Sequence, residues 1–259
     1  MKIAIIGYGK MGKMIEKAAL DAGHAVVCIV EPLAAEQCAR QNTVMCKSIE
    51  EAKGLNGADL AIEFTRPDTA VANISALVQQ KIPVVVGTTG WYDKLNEVKK
   101  MVDQAGTPLL WSANYSMGVN VFYRVAWFAS ALIDSFPEYD IGGFEAHHNK
   151  KIDSPSGTAK ILVEGVLSRI KRKKKIVWET VDRQIQADEL HYPSLRMGSV
   201  PGTHSLIFDS NADTIEITHR ARNREALAAG AVRAAQWLTA EKRSGVFTID
   251  DMLKDMLGI

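Results

Sequence analysis

Two hydrophobic periods alternate along the first half of the chain. Short, continuously apolar and β-branched runs lie at residues 3–6, 25–30, 60–64, 82–86 and 109–112, separated by stretches of helical spacing. The first helical stretch places Met11, Met14, Ile15, Ala18 and Ala19 on one face and stops at Gly23. Strands that are apolar on both faces, each followed by a helix, predict a parallel sheet covered on both sides. After Ser116 the pattern changes. A long apolar helix is predicted over residues 119–135, then strands at 139–147, 176–180, 205–208 and 214–219, with a helix beginning near Ser156. Few helices separate these later strands, so the second half reads as an α+β unit with a mixed or antiparallel sheet. A helix over residues 226–238 and a short terminal helix follow. The expected division is residues 1–117 with 225–259 as one domain, and 118–224 as the other.

Composition narrows the class. Of 259 residues, 47% are hydrophobic and 24% charged, which fits a globular chain with a substantial core and excludes disorder as its main state. Lys and Arg total 31 against 30 acidic residues, so no bulk charge draws the chain to nucleic acid or an anionic membrane. Anion binding has to be local. No apolar run reaches the ~18 residues of a membrane span, and the opening run of residues 1–6 is cut off by Gly7, Gly9 and Lys10 before it resembles a secretion signal. Cys28, Cys38 and Cys46 form neither a paired framework nor a CxxC motif. The expectation is a reduced, cytoplasmic protein. One charge run, Lys171, Arg172, Lys173, Lys174 and Lys175, reads as the solvated cap of a helix C-terminus, with a basic docking patch as the alternative.

The first motif with chemistry is Gly7-Tyr8-Gly9-Lys10-Met11-Gly12, a GxGxxG between the first strand and the first helix. Its glycines allow a tight turn and let a pyrophosphate approach backbone amides at the helix start, the Rossmann-like arrangement of a doubly wound sheet. Glu31 ends the second strand, 19 residues beyond Gly12, where a carboxylate accepts the ribose hydroxyls of a dinucleotide. That carboxylate repels a 2′-phosphate, and Pro32 stands where an NADPH site commonly carries Arg. NADH is therefore the favoured cofactor, with NADPH use left open by Arg40 or Lys10 folding back. Gly87-Thr88-Thr89-Gly90 and Ala113-Asn114-Tyr115-Ser116 follow two further strands, where they can hold a nicotinamide or serve as ordinary turns. Arg66 is either a cofactor contact or a surface ion-pair former.

The densest chemistry lies at residues 145–159. His147 and His148 adjoin at a strand end, Lys151 follows, and Pro155-Ser156-Gly157-Thr158 opens a helix with Ser156 as the expected N-cap. Free amides at Gly157 and Thr158 suit a carboxylate, Lys151 adds positive charge, and a histidine passes protons near neutral pH. The adjacent histidines lack a third ligand at ordinary metal spacing, so no metal is expected.

The stretch from Glu145 to Ala159 resembles the signature E-x-H-H-x-x-K-x-D-x-P-S-G-T-A of the dihydrodipicolinate (4-hydroxy-tetrahydrodipicolinate) reductases, and the resemblance spans essentially the whole chain. Glu63-Phe64-Thr65-Arg66-Pro67, the two loops above and the Arg196, Gly198, Gly202, His204 run are similar to family elements. The resemblance implies that His147 donates and accepts a proton, that Lys151 is a further donor, and that His148, Gly157 and Thr158 bind a substrate carboxylate. It implies that Gly7, Tyr8, Gly9, Lys10, Met11, Gly12, Glu31, Arg66, Gly87, Thr88, Thr89, Ala113, Asn114, Tyr115 and Ser116 bind NADH or NADPH. It further implies a cyclic dicarboxylate imine as substrate, lysine biosynthesis as setting and a homotetramer built through the second sheet. With the dinucleotide on the first domain and the substrate-binding groups on the second, closure about hinges near Met117 and Arg224 is expected. The chain departs from the family's usual GxxGxxG by one residue, and Asn149 and Lys150 stand where Arg and His are common. Two other classes share parts of this pattern. One is another two-domain nicotinamide oxidoreductase such as an amino-acid dehydrogenase; the other is a non-catalytic dinucleotide sensor, which has no use for His147 and Lys151 together.

Overall fold

A computed structural model describes residues 1–33 and 42–258; Cys38 and Arg40 lie outside the described residues. The chain opens with β1 (Lys2–Ile6), α1 (Lys10–Asp21), β2 (Ala25–Val30), β3 (Val44–Cys46), β4 (Leu60–Glu63), α2 (Pro67–Gln79), β5 (Val84–Val86), α3 (Leu95–Ala105) and β6 (Leu109–Trp111). It continues through α4 (Met117–Ile133), β7 (Asp140–His147), α5 (Gly157–Leu167), β8 (Lys175–Val177), β9 (Glu189–His191), β10 (Ser194–Arg196), β11 (Thr203–Asp209) and β12 (Thr214–Arg220). It ends with α6 (Glu225–Ala240), β13 (Val246–Thr248) and α7 (Ile249–Leu257). Two compact units result, Met1–Ser116 with Glu225–Ile259, and Met117–Arg224. Met117 starts α4 and so falls in the second unit, one residue earlier than the sequence pattern suggested.

In the first unit seven strands lie in the order β13-β6-β5-β4-β1-β2-β3, all pairs parallel. The order reverses beside β1, the switch point at which open α/β sheets bind ligands. The central strands are apolar because both faces are covered: Ile3, Ile5, Leu60, Ile62, Val84 and Val85 are fully buried. Burying each such side chain contributes about 1.5–3 kcal/mol. Helix α1 turns Ile15 and Ala19 inward, Pro67 occupies the first turn of α2, and Thr248 and Asp251 cap α7 reciprocally. β3, β9, β10 and β13, three residues each, lie outside the runs that the sequence pattern marks.

The second unit is a mixed sheet in the order β12-β11-β7-β9-β8, with β10 also paired to β7. β7 is antiparallel to β11 and parallel to β10. Its core joins α4, α5 and one sheet face through Phe122, Tyr123, Leu162, Val166, Leu206 and Phe208. The lysine-rich run departs from expectation. Arg172 does cap a helix end, donating to the carbonyls of Ile133 and Asp134 at 3.1 and 3.3 Å. Lys173, however, is 2% exposed and donates to the carbonyls of Ala187 and Glu189 while pairing with Asp140. A buried ammonium with several acceptors ties the β8 region to β7; it is not a solvated charge.

Candidate active site

The first unit gathers its expected residues at the carboxyl ends of the parallel strands. Gly7 has φ +91°, and a Cβ there would lie 2.3 Å from the Phe64 carbonyl oxygen. A Cβ on Gly12 would lie 2.1 Å from the Gly7 carbonyl oxygen. These two glycines serve the close strand–helix junction. Gly9 is different: it is the N-cap of α1, carries no side-chain cap, and a Cβ there would meet nothing within 4 Å. Uncapped helix-start amides beside open space form the cradle that a pyrophosphate fills. The structure thus fits a dinucleotide at this loop.

Glu31 accepts the Tyr8 amide on Oε2 at 2.8 Å and the Leu33 amide on Oε1 at 3.2 Å. The carboxylate is thereby fixed beside the glycine loop. Tyr8 donates its hydroxyl to Glu16. Lys10 is exposed and Met11 half-buried. Arg66, the N-cap residue of α2, is exposed beside Asp68 at 3.4 Å. In the loop after β5, Gly87 allows the Phe64 ring to approach within 2.0 Å of where a Cβ would lie. Thr88 accepts the Thr65 amide at 2.7 Å, and its carbonyl accepts Trp91 Nε1 at 2.8 Å. Thr89 remains exposed. In the loop after β6, Ala113 is exposed and the Asn114 carboxamide accepts the Ser116 amide at 2.9 Å. Tyr115, expected among the cofactor contacts, turns its ring into the core. It is 1% exposed and its hydroxyl donates to the Val86 and Leu110 carbonyls, so its side chain anchors the loop. Ser116 is likewise buried.

Glu63, at the end of β4, is a buried carboxyl that no motif in the sequence singles out. Its carboxyl is fully buried, and burial pushes its pKa up, against hydrogen bonds from Thr65, Thr88 and Asn73 that act in the opposite direction.

The second unit brings together His147, Lys151, Gly157 and Thr158, with residues that spacing could not connect to them. Ser156 caps α5 as expected, its hydroxyl accepting the Ala159 amide at 3.1 Å. Gly157 faces open space at the helix start, Thr158 is half-buried beside it, and His148 is half-buried. Lys151 is held by both Asp153 oxygens at 2.7 and 2.8 Å, and this partner holds the Asp153 carboxyl below its usual range. The centre of the cluster is Glu145. Strand periodicity puts it on the face of His147, and direct register puts Ser194 and His204 opposite it and Arg196 opposite His147. Its Oε1 accepts Ser194 Oγ at 2.7 Å, the Ser156 amide at 3.0 Å and Arg196 Nη2 at 3.0 Å. Its Oε2 faces His147 Nδ1 at 3.3 Å and His204 Nε2 at 3.5 Å. Although burial alone would push the Glu145 pKa up, the two histidines facing it and the hydrogen bonds from Ser156 and Ser194 hold it far below the usual carboxylate range.

Glu145, His147 and His204 present donor atoms within 4.8 Å of one another, a spacing also seen around metals. The Arg196 guanidinium on the same carboxylate favours a proton and hydrogen-bond network over a cation at that point. Sequence spacing hid His204 and Arg196 because their proximity depends on strand register. Burial keeps the His204 pKa below its ordinary value, opposed by Glu145.

Comparisons with known proteins give the family and the fold. Residues 1–115 match the family described as "Dihydrodipicolinate reductase, N-terminus" and residues 118–253 the one described as "Dihydrodipicolinate reductase, C-terminus". The chain is 34% identical over 258 residues to the 4-hydroxy-tetrahydrodipicolinate reductase of Christiangramia forsetii, covering 99% of each chain. It is 34% identical to that of Archaeoglobus fulgidus, covering 98% of this chain and 100% of the other. A dipicolinate-bound dihydrodipicolinate reductase from Paenisporosarcina sp. TG-14 shares the fold, with TM-score 0.77 and 17% identity over 96% of this chain and 97% of that one. An engineered D-amino acid dehydrogenase shares it more distantly, with TM-score 0.55 and 14% identity over 96% of this chain and 93% of that one. The chain belongs to the dihydrodipicolinate reductase family, the NAD(P)H-dependent oxidoreductases of lysine (diaminopimelate) biosynthesis.

Proposed function

We propose that the chain reduces 4-hydroxy-tetrahydrodipicolinate (dihydrodipicolinate) to tetrahydrodipicolinate with NADH as the favoured reductant. The observation that carries this reading is the cluster at the start of α5, where His147, Lys151 and the amides of Gly157 and Thr158 offer a proton donor, a cation and an anion cradle in one unit. Loss of water across C3 and C4 turns 4-hydroxy-tetrahydrodipicolinate into the conjugated dihydrodipicolinate ring, whose C4 accepts the hydride that nicotinamide would supply when bound. The α5 amides and His148 hold one substrate carboxylate. His147 delivers the proton to C3, where negative charge develops, and Lys151 supports that charge once substrate competes with Asp153.

Favouring NADH rests on Glu31, whose carboxylate is fixed beside the glycine loop and repels a 2′-phosphate. Gly7, Gly9 and Gly12 shape the pyrophosphate site, Lys10 and Met11 form the first helical turn, and Arg66, Thr88, Thr89, Ala113 and Asn114 flank the remainder of the dinucleotide. We also propose a homotetramer through the sheet face away from α4 and α5, where Phe144 and Ile207 are half-buried and Leu195 is 47% exposed. No described helix is long and apolar enough to cross a membrane, and a cytoplasmic setting suits three cysteines without a paired framework.

The deciding experiment follows absorbance at 340 nm while the preceding synthase generates substrate in situ, with NADH and NADPH in parallel. Synthase-dependent oxidation of NADH supports the reading; oxidation of neither cofactor refutes it.

A further inference from the structure

Glu145 Oε2 and His147 Nδ1 are among the buried atoms of the second unit that have no aligned hydrogen-bond partner. They face each other at 3.3 Å. Both belong to β7, two residues apart, and therefore project from the same side of the strand. Glu145 is fully buried and cannot turn away, since its other oxygen is held by Ser194, Arg196 and the Ser156 amide. Those donors come from β10 and the start of α5, so the carboxylate is clamped from two directions. For His147, Nδ1 is the sealed nitrogen of the ring. Nε2 faces Gly202, where a Cβ would come within 3.1 Å of it. The absence of a side chain there keeps the second nitrogen uncrowded.

We propose that Glu145 is a positioning residue for His147: its Oε2 keeps the proton of the neutral ring on Nδ1 and stabilises the charged ring, leaving Nε2 to exchange the proton with substrate. A carboxylate behind an imidazole sets the tautomer and the ring angle, and it favours the imidazolium that a proton donor must become. This inference rests on the reading of His147 as the proton donor.

The surrounding charges are consistent with one carboxylate serving one ring. Arg196 from β10, opposite His147 in the register, contacts Oε1 and not Oε2. His204 from β11 shares Oε2 at 3.5 Å and also lies 3.2 Å from Ser156 Oγ, and burial disfavours its charged form. Lys151, in the loop after β7, is paired with Asp153. Glu145 is thus the one carboxylate among the described residues that contacts the His147 ring.

The test has two arms. The first reads the intact protein, labelled with 15N-histidine, by NMR, with the His147 ring assigned from its loss in His147→Gln. The proposal expects the neutral ring protonated on Nδ1; a neutral ring protonated on Nε2 overturns it, whatever any variant does. The second arm measures the pH profile of kcat/KM for Glu145→Gln. Its alkaline limb is expected to move at least about one pH unit lower, with kcat reduced roughly 10- to 100-fold and dinucleotide affinity unchanged. A folded Glu145→Gln with the wild-type limb overturns the proposal. If this variant does not fold, Glu145→Asp keeps the charge on Arg196 but withdraws the oxygen from His147, and the same shift is expected. Full activity in His147→Gln would instead refute the proton-donor reading and leave the tautomer result standing by itself.

Discussion

The amide of Tyr8 and the carboxylate of Glu31 are joined at 2.8 Å, so the glycine loop and the acidic end of β2 form one rigid unit. On the proposed reading, a carboxylate held this way presents its remaining acceptor capacity to ribose hydroxyls and repels a phosphate. Charge-assisted hydrogen bonds contribute roughly 1.5–3 kcal/mol each. A preference for NADH in kcat/KM of about tenfold, equal to ~1.4 kcal/mol, is expected. Glu31→Ser with Pro32→Arg should move the preference toward NADPH by removing the repulsion and adding a phosphate partner. Kinetics with both cofactors on wild type and variant check this; a wild type that prefers NADPH would show that another basic group overrides Glu31.

On the proposed reading, His147 and Lys151 divide the proton and charge handling of the second unit. His147→Gln and Lys151→Ala are each expected to lower kcat by roughly 100-fold or more. Dinucleotide binding, measured by calorimetry, should change little, because the glycine loop belongs to the other unit. Wild-type kcat in both variants would remove these residues from the chemistry.

The parts of this site that sequence reading reached, and those it missed, separate along one physical line. Features set by neighbours in sequence were legible: the GxGxxG turn, Glu31 at a strand end, Ser156 as an N-cap and the alternating strands and helices of the first unit. Features set by register between distant strands were not. His204 and Arg196 reach Glu145 only because β11 and β10 flank β7 in a particular alignment, which no spacing along the chain encodes. The lysine-rich run misled for a related reason, since the acceptors that bury Lys173 lie more than a dozen residues away. Tyr115 shows the same limit on a smaller scale: its loop was legible, but not the inward turn of its ring.

Glu63 predicts a pH dependence of stability. Burial raises its pKa in the folded protein above the ~4.3 of an exposed glutamate. The folded state therefore keeps this proton where the unfolded state has lost it, and the contribution to stability declines as pH rises from about 4.3 through the raised folded value. Glu63→Gln mimics the protonated form. Relative to wild type, its melting temperature should be more favourable at pH 8 than at pH 5, by a few degrees. Equal differences at the two pH values would place the folded-state pKa near its ordinary value.

Gly7 and Gly9 stand two residues apart and should fail in different ways. Gly7 has φ +91° and no room for a Cβ against the Phe64 carbonyl. Gly7→Ala combines backbone strain with a clash against main chain that cannot move without shifting β4, so a loss of roughly 2 kcal/mol or more in stability is expected. Gly9 has φ −72° and open space where its Cβ would lie. Gly9→Ala should melt at the wild-type temperature, since an ordinary side chain fits both its backbone and its surroundings. The added methyl nevertheless enters the space that the pyrophosphate needs beside the first amides of α1. Dinucleotide affinity should fall about tenfold or more, ~1.4 kcal/mol. Thermal melts and cofactor titrations on the two variants separate the roles. A Gly9→Ala protein that is stable and binds NADH as tightly as wild type would reduce the loop to a tight turn and move the pyrophosphate elsewhere.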